Sequence, residues 1–248
     1  MDIKMETADV KTNAAKDLSF FAGTKEGIPI ALGYIPIAIA FGLLAKSVGL
    51  PNRISIIMSL LVFAGASQFV AVNLLALSSS SWEIILTTFI VNLRHLLMSA
   101  SISQRIENRV TKGWRFLLSF GITDETFSIA SLRPEEKLSP NFILGLNLIS
   151  YSAWVGGTAI GVFLGAGLPK VVQNSMGIAL YAMFIGLLIP NTRDSRQVFI
   201  LVVLAMMINS LLNWVSLFNF LSAGWNIIIT TIVAAMLGAI FFPEDGEE

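Results

Sequence analysis

Residues 197–243 form a run of 47 positions without one Lys, Arg, Asp or Glu. A helix rising about 1.5 Å per residue would carry that run about 70 Å. The hydrocarbon slab of a bilayer is only about 30 Å thick, so the run crosses and returns, and the small and polar residues at 216–224 offer the turn. Residues 54–82 and 138–169 are uncharged as well. Backbone groups in lipid must be hydrogen-bonded internally, which leaves helices or a closed barrel. These runs lack the alternating polar pattern of barrel strands, so helices are expected.

The chain is 55% hydrophobic with a mean hydropathy of +0.76. Apolar segments are expected at 28–46, 54–77, 82–103, 116–132, 141–165, 174–190, 197–214 and 225–242. The predicted fold class is therefore an all-α polytopic membrane protein with seven or eight membrane helical segments. Residues 1–26 read as a polar N-terminal arm, 27–243 as a single transmembrane domain and 244–248 as an acidic tail. The arm is of mixed sign and lacks an evident cleavage site, unlike a signal peptide. Pro29 and Pro36, with Gly27 and Gly33, predict a kinked or broken first helix.

An internal echo links Phe41-Gly42-Leu43-Leu44, followed by Gly49-Leu50-Pro51, to Ile160-Gly161-Val162-Phe163, followed by Gly167-Leu168-Pro169. Two internal repeats with broken or re-entrant helices are one reading of it, as in many transporters. The count of crossings turns on segment 116–132. If it crosses, eight spans result and the loop cations divide evenly. If it re-enters, seven spans place most loop cations inside, as the positive-inside rule favours, and the second echo is inverted relative to the first.

Against this apolar background a few polar residues stand out. An ionisable group within hydrocarbon costs several kcal/mol unless paired or hydrated, and such groups usually line a path for something polar. Thr88, Asn92, His95 and Ser99 are spaced by 4, 3 and 4, so they share one helical face. That stripe could relay a proton or hold a substrate, or could join helices through hydrogen bonds. Arg94 lies about 100° round the helix from His95. Its planar fork suits a carboxylate, either a substrate's or that of Asp124 or Glu125. Thr123-Asp124-Glu125-Thr126 is an acidic cluster between apolar stretches, fit for coupling protons or for a hydrated surface turn. Gln68, beside the small residues Gly65 and Ala66, could bind an amino or carboxyl group. Asn209 and Asn213 share a face at i, i+4, and packing is the simpler role for them, as it is for Met206, Met207 and the five Trp.

Several function classes are disfavoured. The net charge of +0 and the absence of a basic stripe argue against a nucleic-acid partner. With no Cys and one His, thiolate chemistry is excluded and neither a metal site nor a cofactor is expected. No phosphate-binding glycine loop is present, and His95 has no companion motif for a serine nucleophile, so an enzyme is not expected.

Taken in order, Gly27-Ile28-Pro29 with Gly33 and Pro36, Phe41-Gly42, Phe63-Ala64-Gly65-Ala66-Ser67-Gln68-Phe69, Asn92-Leu93-Arg94-His95-Leu96-Leu97-Met98-Ser99 and Thr123-Asp124-Glu125-Thr126-Phe127 resemble the AzlC family of branched-chain amino acid exporters. The resemblance implies a multi-pass protein of the bacterial inner membrane. It would export valine, leucine, isoleucine and methionine or analogues, driven by protons. It further implies a small AzlD-type membrane subunit as partner. In that reading Gln68, Asn92 and Arg94 take the substrate carboxylate, while Asp124 or Glu125 attracts the ammonium or carries the coupling proton, with His95 beside them. A passive channel for small polar solutes is the alternative.

Overall fold

The computed structural model describes residues 18–107, 110–164, 195–215 and 220–242, with isolated positions at 167–193 and at 218. Among these residues the regular structure is helical: α1 Phe20–Ser47, α2 Asn52–Leu61, α3 Gly65–Ala76, α4 Ser81–Arg105, α5 Lys112–Phe120, α6 Asp124–Ser131, α7 Pro140–Leu164, α8 Arg196–Trp214 and α9 Ala223–Phe241. Five of them, α1, α4, α7, α8 and α9, are long and apolar enough to cross a membrane, while α2 and α3 are shorter apolar helices. Of the expected segment 174–190 only isolated positions are described, and the polar and acidic ends, 1–17 and 243–248, lie outside the described residues.

The chain divides into two compact units. One comprises Met1–Gly65 and Asn92–Met176, the other Ala66–Val91 and Gly177–Glu248. The first is built on the pairing of α1 with α7. Helix α1 starts where the Ser19 hydroxyl accepts the Ala22 amide at 3.1 Å, and it runs unbroken through Pro29 and Pro36 to Lys46 in its last turn. The break expected at those prolines does not occur. Each proline removes one backbone donor, and the dense seam against α7 holds the helix through both gaps.

That seam is one of backbone against backbone. A Cβ on Gly23 would strike the Phe142 carbonyl, and one on Gly145 would strike the Phe20 carbonyl. Further along, a Cβ on Gly42 would lie 2.6 Å from the Thr158 oxygen and 3.0 Å from the Gly161 Cα. The contacts advance together, from Gly23 against Phe142 to Gly42 against Gly161, so α1 and α7 run parallel. With segment 54–77 counted as a crossing, that direction does not go with re-entry of 116–132 alone. Two parallel spans need an odd number of crossings between them, whereas re-entry of 116–132 alone leaves two and would make α1 and α7 antiparallel. The inverted echo fails for the same reason: its two glycines, Gly42 and Gly161, stand against each other along a parallel seam.

Two of the expected segments are broken. Segment 54–77 is split at Val62, Phe63 and Ala64, and segment 116–132 at Gly121, Ile122 and Thr123. At the first break the Leu60 carbonyl accepts the Tyr151 hydroxyl at 2.9 Å. Phe63 turns inward, edge-on to Tyr34 and Tyr151 at 6.0 and 5.4 Å between ring centroids. Gly65 restarts the chain against Trp154, whose ring would be 2.6 Å from any added Cβ.

In the second unit α8 and α9 pack together, with Gly238 against Leu201. The expected break at 216–224 falls between these helices. The Asn213 amide donates to the Asn209 carbonyl at 2.7 Å and its oxygen accepts Asn226 Nδ2 at 3.1 Å, in keeping with a packing role for Asn209 and Asn213. The buried Glu83, in the first turn of α4, accepts the Ser222 hydroxyl and, at 2.9 Å, the Gly224 amide, so it holds the start of α9.

The seam gives a paired expectation for stability. Gly42→Ala forces a methyl into the Thr158 carbonyl and lowers the melting temperature, at a cost of about 1–3 kcal/mol. Gly33 has open space around it, so Gly33→Ala raises stability by up to about 1 kcal/mol through helix propensity. Thermal unfolding of the detergent-purified variants measures both.

Candidate functional site

The site is organised by the break between α5 and α6. A chain that leaves a helix in an apolar environment exposes carbonyls that water does not reach, and side chains must bond them. Here four do so. Asn147 Nδ2 donates to the Leu118 carbonyl at 2.9 Å, Ser99 Oγ to Ser119 at 3.3 Å, and Thr126 Oγ1 to Gly121 at 3.2 Å. His95 Nδ1 meets the Ile122 carbonyl at 2.9 Å. Gly121 is required at the break because the Asn147 side chain would lie 2.5 Å from any Cβ placed there.

Helix α6 restarts at once with a capping box. The Thr123 side chain accepts the Thr126 amide, and the Thr126 side chain accepts the Thr123 amide at 2.8 Å. Asp124 and Glu125 occupy the first turn, where the partial positive charge of the helix start favours acids. The far end of α6 is held by Arg105. Its guanidinium donates to the carbonyls of Ala130, Ser131, Arg133 and Glu135 at 3.1, 2.8, 2.6 and 2.6 Å, where a cation complements the helix C-terminus.

The two acids have different partners. Arg94 Nη1 lies 3.0 Å from Asp124 Oδ1 and 2.9 Å from Oδ2, so the ion pair anticipated from the sequence is formed. It is half-buried, with the side chains 35% and 27% exposed. Glu125 instead accepts the Tyr34 hydroxyl, which also lies 2.8 Å from Thr123 Oγ1. Tyr34 thus touches both helix breaks, its ring against Phe63 and its oxygen at Thr123.

The stripe on α4 divides. Thr88 turns back on its own helix, donating to the Ile84 carbonyl at 2.7 Å. His95 and Ser99 reach across to the second break. Asn92 Oδ1 and His95 Nε2 are buried without a hydrogen-bond partner among the described residues. His95 and Ser99 also line a groove of about 450 Å³ with Leu96, Ala100, Phe116 and Phe120. Gln68 is buried in the second unit, and in the first the structure brings together Arg94, His95, Asp124 and Glu125 about one break. Sequence reasoning missed Tyr34, Asn147 and Arg105. The first two carried a signal, a phenol and an amide within otherwise apolar segments. Arg105, at a helix end, carried none.

The family model described as AzlC protein matches residues 29–168, which contain every residue of this cluster. The chain belongs to the AzlC family. Its relatives include the inner membrane protein YgaZ of Escherichia coli, 37% identical over 185 residues, 72% of this chain and 76% of that one. An uncharacterized membrane protein of Archaeoglobus fulgidus is 38% identical over 181 residues, 72% and 78% of the two chains. The branched-chain amino acid transport protein AzlC of Bacillus subtilis is 30% identical over 172 residues, 68% and 66%. No solved structure matches the chain.

The ion pair can be tested by itself. Arg94→Gln and Asp124→Asn should each lower the melting temperature, and the double variant should recover part of the loss. A partly exposed pair of this kind gives a coupling energy of about 1 kcal/mol, read as the non-additivity of the three melts.

Proposed function

We propose that this AzlC-family protein is a secondary transporter that exports branched-chain amino acids, namely valine, leucine, isoleucine and methionine or close analogues, across the bacterial inner membrane. Export is driven by the proton gradient and requires a small AzlD-type membrane subunit. The observation that carries the reading is the pairing of two acids with distinct partners at one helix break, Asp124 with Arg94 and Glu125 with Tyr34.

A zwitterionic substrate needs an anion site and a cation site, and a coupled carrier needs a group that gains and loses a proton during the cycle. Among the described residues Arg94 supplies the cation of the cluster, and its charge is already offset by Asp124. A substrate carboxylate can displace Asp124 from Arg94 without leaving a bare charge, provided Asp124 takes up a proton as it is released. Glu125 keeps a neutral hydrogen-bond partner, Tyr34, in either protonation state, because the phenol donates to the carboxylate and accepts from the carboxylic acid. Broken helices at the heart of a carrier supply backbone polarity where uninterrupted helices would not. The relative from Bacillus subtilis, named as a branched-chain amino acid transport protein, supplies the substrate class, and the apolar groove beside His95 and Ser99 has the lining an aliphatic side chain requires.

Everted membrane vesicles loaded with labelled valine under an imposed pH gradient test the reading. Wild type with its small partner accumulates valine only when the gradient is present. Glu125→Gln and Asp124→Asn abolish that accumulation, and Tyr34→Phe lowers it several-fold while the protein remains folded. Equilibration of valine that ignores both the gradient and these substitutions would leave a passive channel in its place.

A further inference from the structure

The His95 ring offers one nitrogen to a carbonyl, and a carbonyl only accepts. Nδ1 therefore carries the hydrogen in the bond to Ile122 O at 2.9 Å, and the neutral imidazole presents a bare lone pair at Nε2. That Nε2 is buried and has no partner among the described residues. One turn earlier on the same face of α4, Oδ1 of Asn92 is likewise buried and without a partner. Both atoms are acceptors, so neither can satisfy the other. Buried polar atoms in native proteins are almost always bonded, and a pair left without donors calls for an explanation.

A ligand that meets both must bring at least two N–H or O–H donors from one small centre. A primary ammonium does so, with three. The surroundings fit that choice. Among the described residues the cation of this cluster is Arg94, and it is paired with Asp124, so it does not repel a second positive charge outright. His95 also lines the groove with Leu96, Ala100, Phe116 and Phe120, which gives the carbon attached to that ammonium an apolar side to face. Neutral acceptors hold an ammonium less tightly than a carboxylate would, as suits a carrier that must release its cargo on the far side.

From these observations we infer that Asn92 Oδ1 and His95 Nε2 together receive the α-ammonium group of the transported amino acid, with Ile122 fixing the tautomer that leaves Nε2 bare. The inference rests on the amino acid transport reading and assigns the ammonium to α4 rather than to the acids of α6. It makes His95 a substrate ligand and not a proton carrier.

The test compares valine with 2-hydroxyisovalerate, which keeps the side chain and carboxylate and replaces the ammonium with a hydroxyl. Each competes for exchange of labelled valine in proteoliposomes carrying the chain and its small partner, and the readout is the ratio of their inhibition constants. Wild type favours valine. Asn92→Leu reduces that preference about tenfold or more, the loss of one hydrogen bond to a charged group, by weakening valine and not its analogue. Asn92→Asp, of nearly the same size, increases the preference because the acceptor gains a charge. His95→Gln reduces the preference while gradient-driven accumulation of valine persists at saturating concentration. If Asn92→Leu fails to fold, Asn92→Asp decides, and a preference no greater than wild type overturns the assignment. An unchanged ratio in Asn92→Leu overturns it too, as does His95→Gln that uncouples transport from the gradient and leaves the ratio intact. A wild type that exchanges no valine overturns the transport reading and this assignment with it, whereas valine exchange with an unaltered ratio overturns this assignment alone.

Discussion

A helix that stops within an apolar environment leaves carbonyl oxygens that must be bonded by something other than water. At Gly121, Ile122 and Thr123 that requirement is met by Asn147, Ser99, Thr126 and His95, drawn from α4, α6 and α7. The rest of the site follows from it. Satisfying the break orients the His95 ring, seats Asn147 over Gly121, and lets α6 begin within three residues of the end of α5. Because α6 begins there, Asp124 and Glu125 sit at a helix start, where their charge is favoured, and within reach of Arg94 and Tyr34.

The other constraint is the seam of α1 and α7. Small residues let two backbones approach where the hydrophobic effect supplies no driving force between helices. Tyr34 and Trp154 then meet across it, edge-on with 5.4 Å between centroids. Lys46 reaches across as well, donating to the Val162 carbonyl at 2.9 Å near the end of α7. The tyrosine that contacts Glu125 is therefore carried by the most closely packed pair in its unit, and its hydroxyl is fixed in place before any ligand arrives.

Much of this was legible in the chain. Uncharged runs longer than a bilayer is thick leave little choice but helices, and five of the eight expected segments coincide with long apolar helices. Arg94 and the acid pair announce themselves by their cost in lipid, which suggests an ion pair with Asp124 or Glu125 beside a substrate carboxylate as the roles open to Arg94. The breaks were harder to see. Proline marked α1 as the interrupted helix, yet Pro29 and Pro36 are accommodated, while the real interruptions occur where Gly65 faces Trp154 and Gly121 faces Asn147. Such breaks depend on what lies opposite a glycine in space, which a single sequence does not state. The direction of α7 was hidden for a similar reason: the echo around Gly42 and Gly161 records which residues permit close approach, and close approach is compatible with either direction. Tyr34 and Asn147 were overlooked because a lone phenol or amide in an apolar helix carries no spacing pattern.

Arg105 grips four carbonyls at the end of α6, whereas the beginning of that helix is tied by side chains whose bonds can be exchanged one for another. A rod pinned at one end moves most at the other. The eight residues of α6 make an arm about 12 Å long, so a tilt of about 10° about the arginine would displace the two acids by about 2 Å and scarcely disturb the anchored end. That is enough to part a carboxylate from a guanidinium or a phenol, since hydrogen bonds weaken steeply beyond about 3.2 Å. The same arginine, remote from the chemistry, would then set the fulcrum about which the charged end turns.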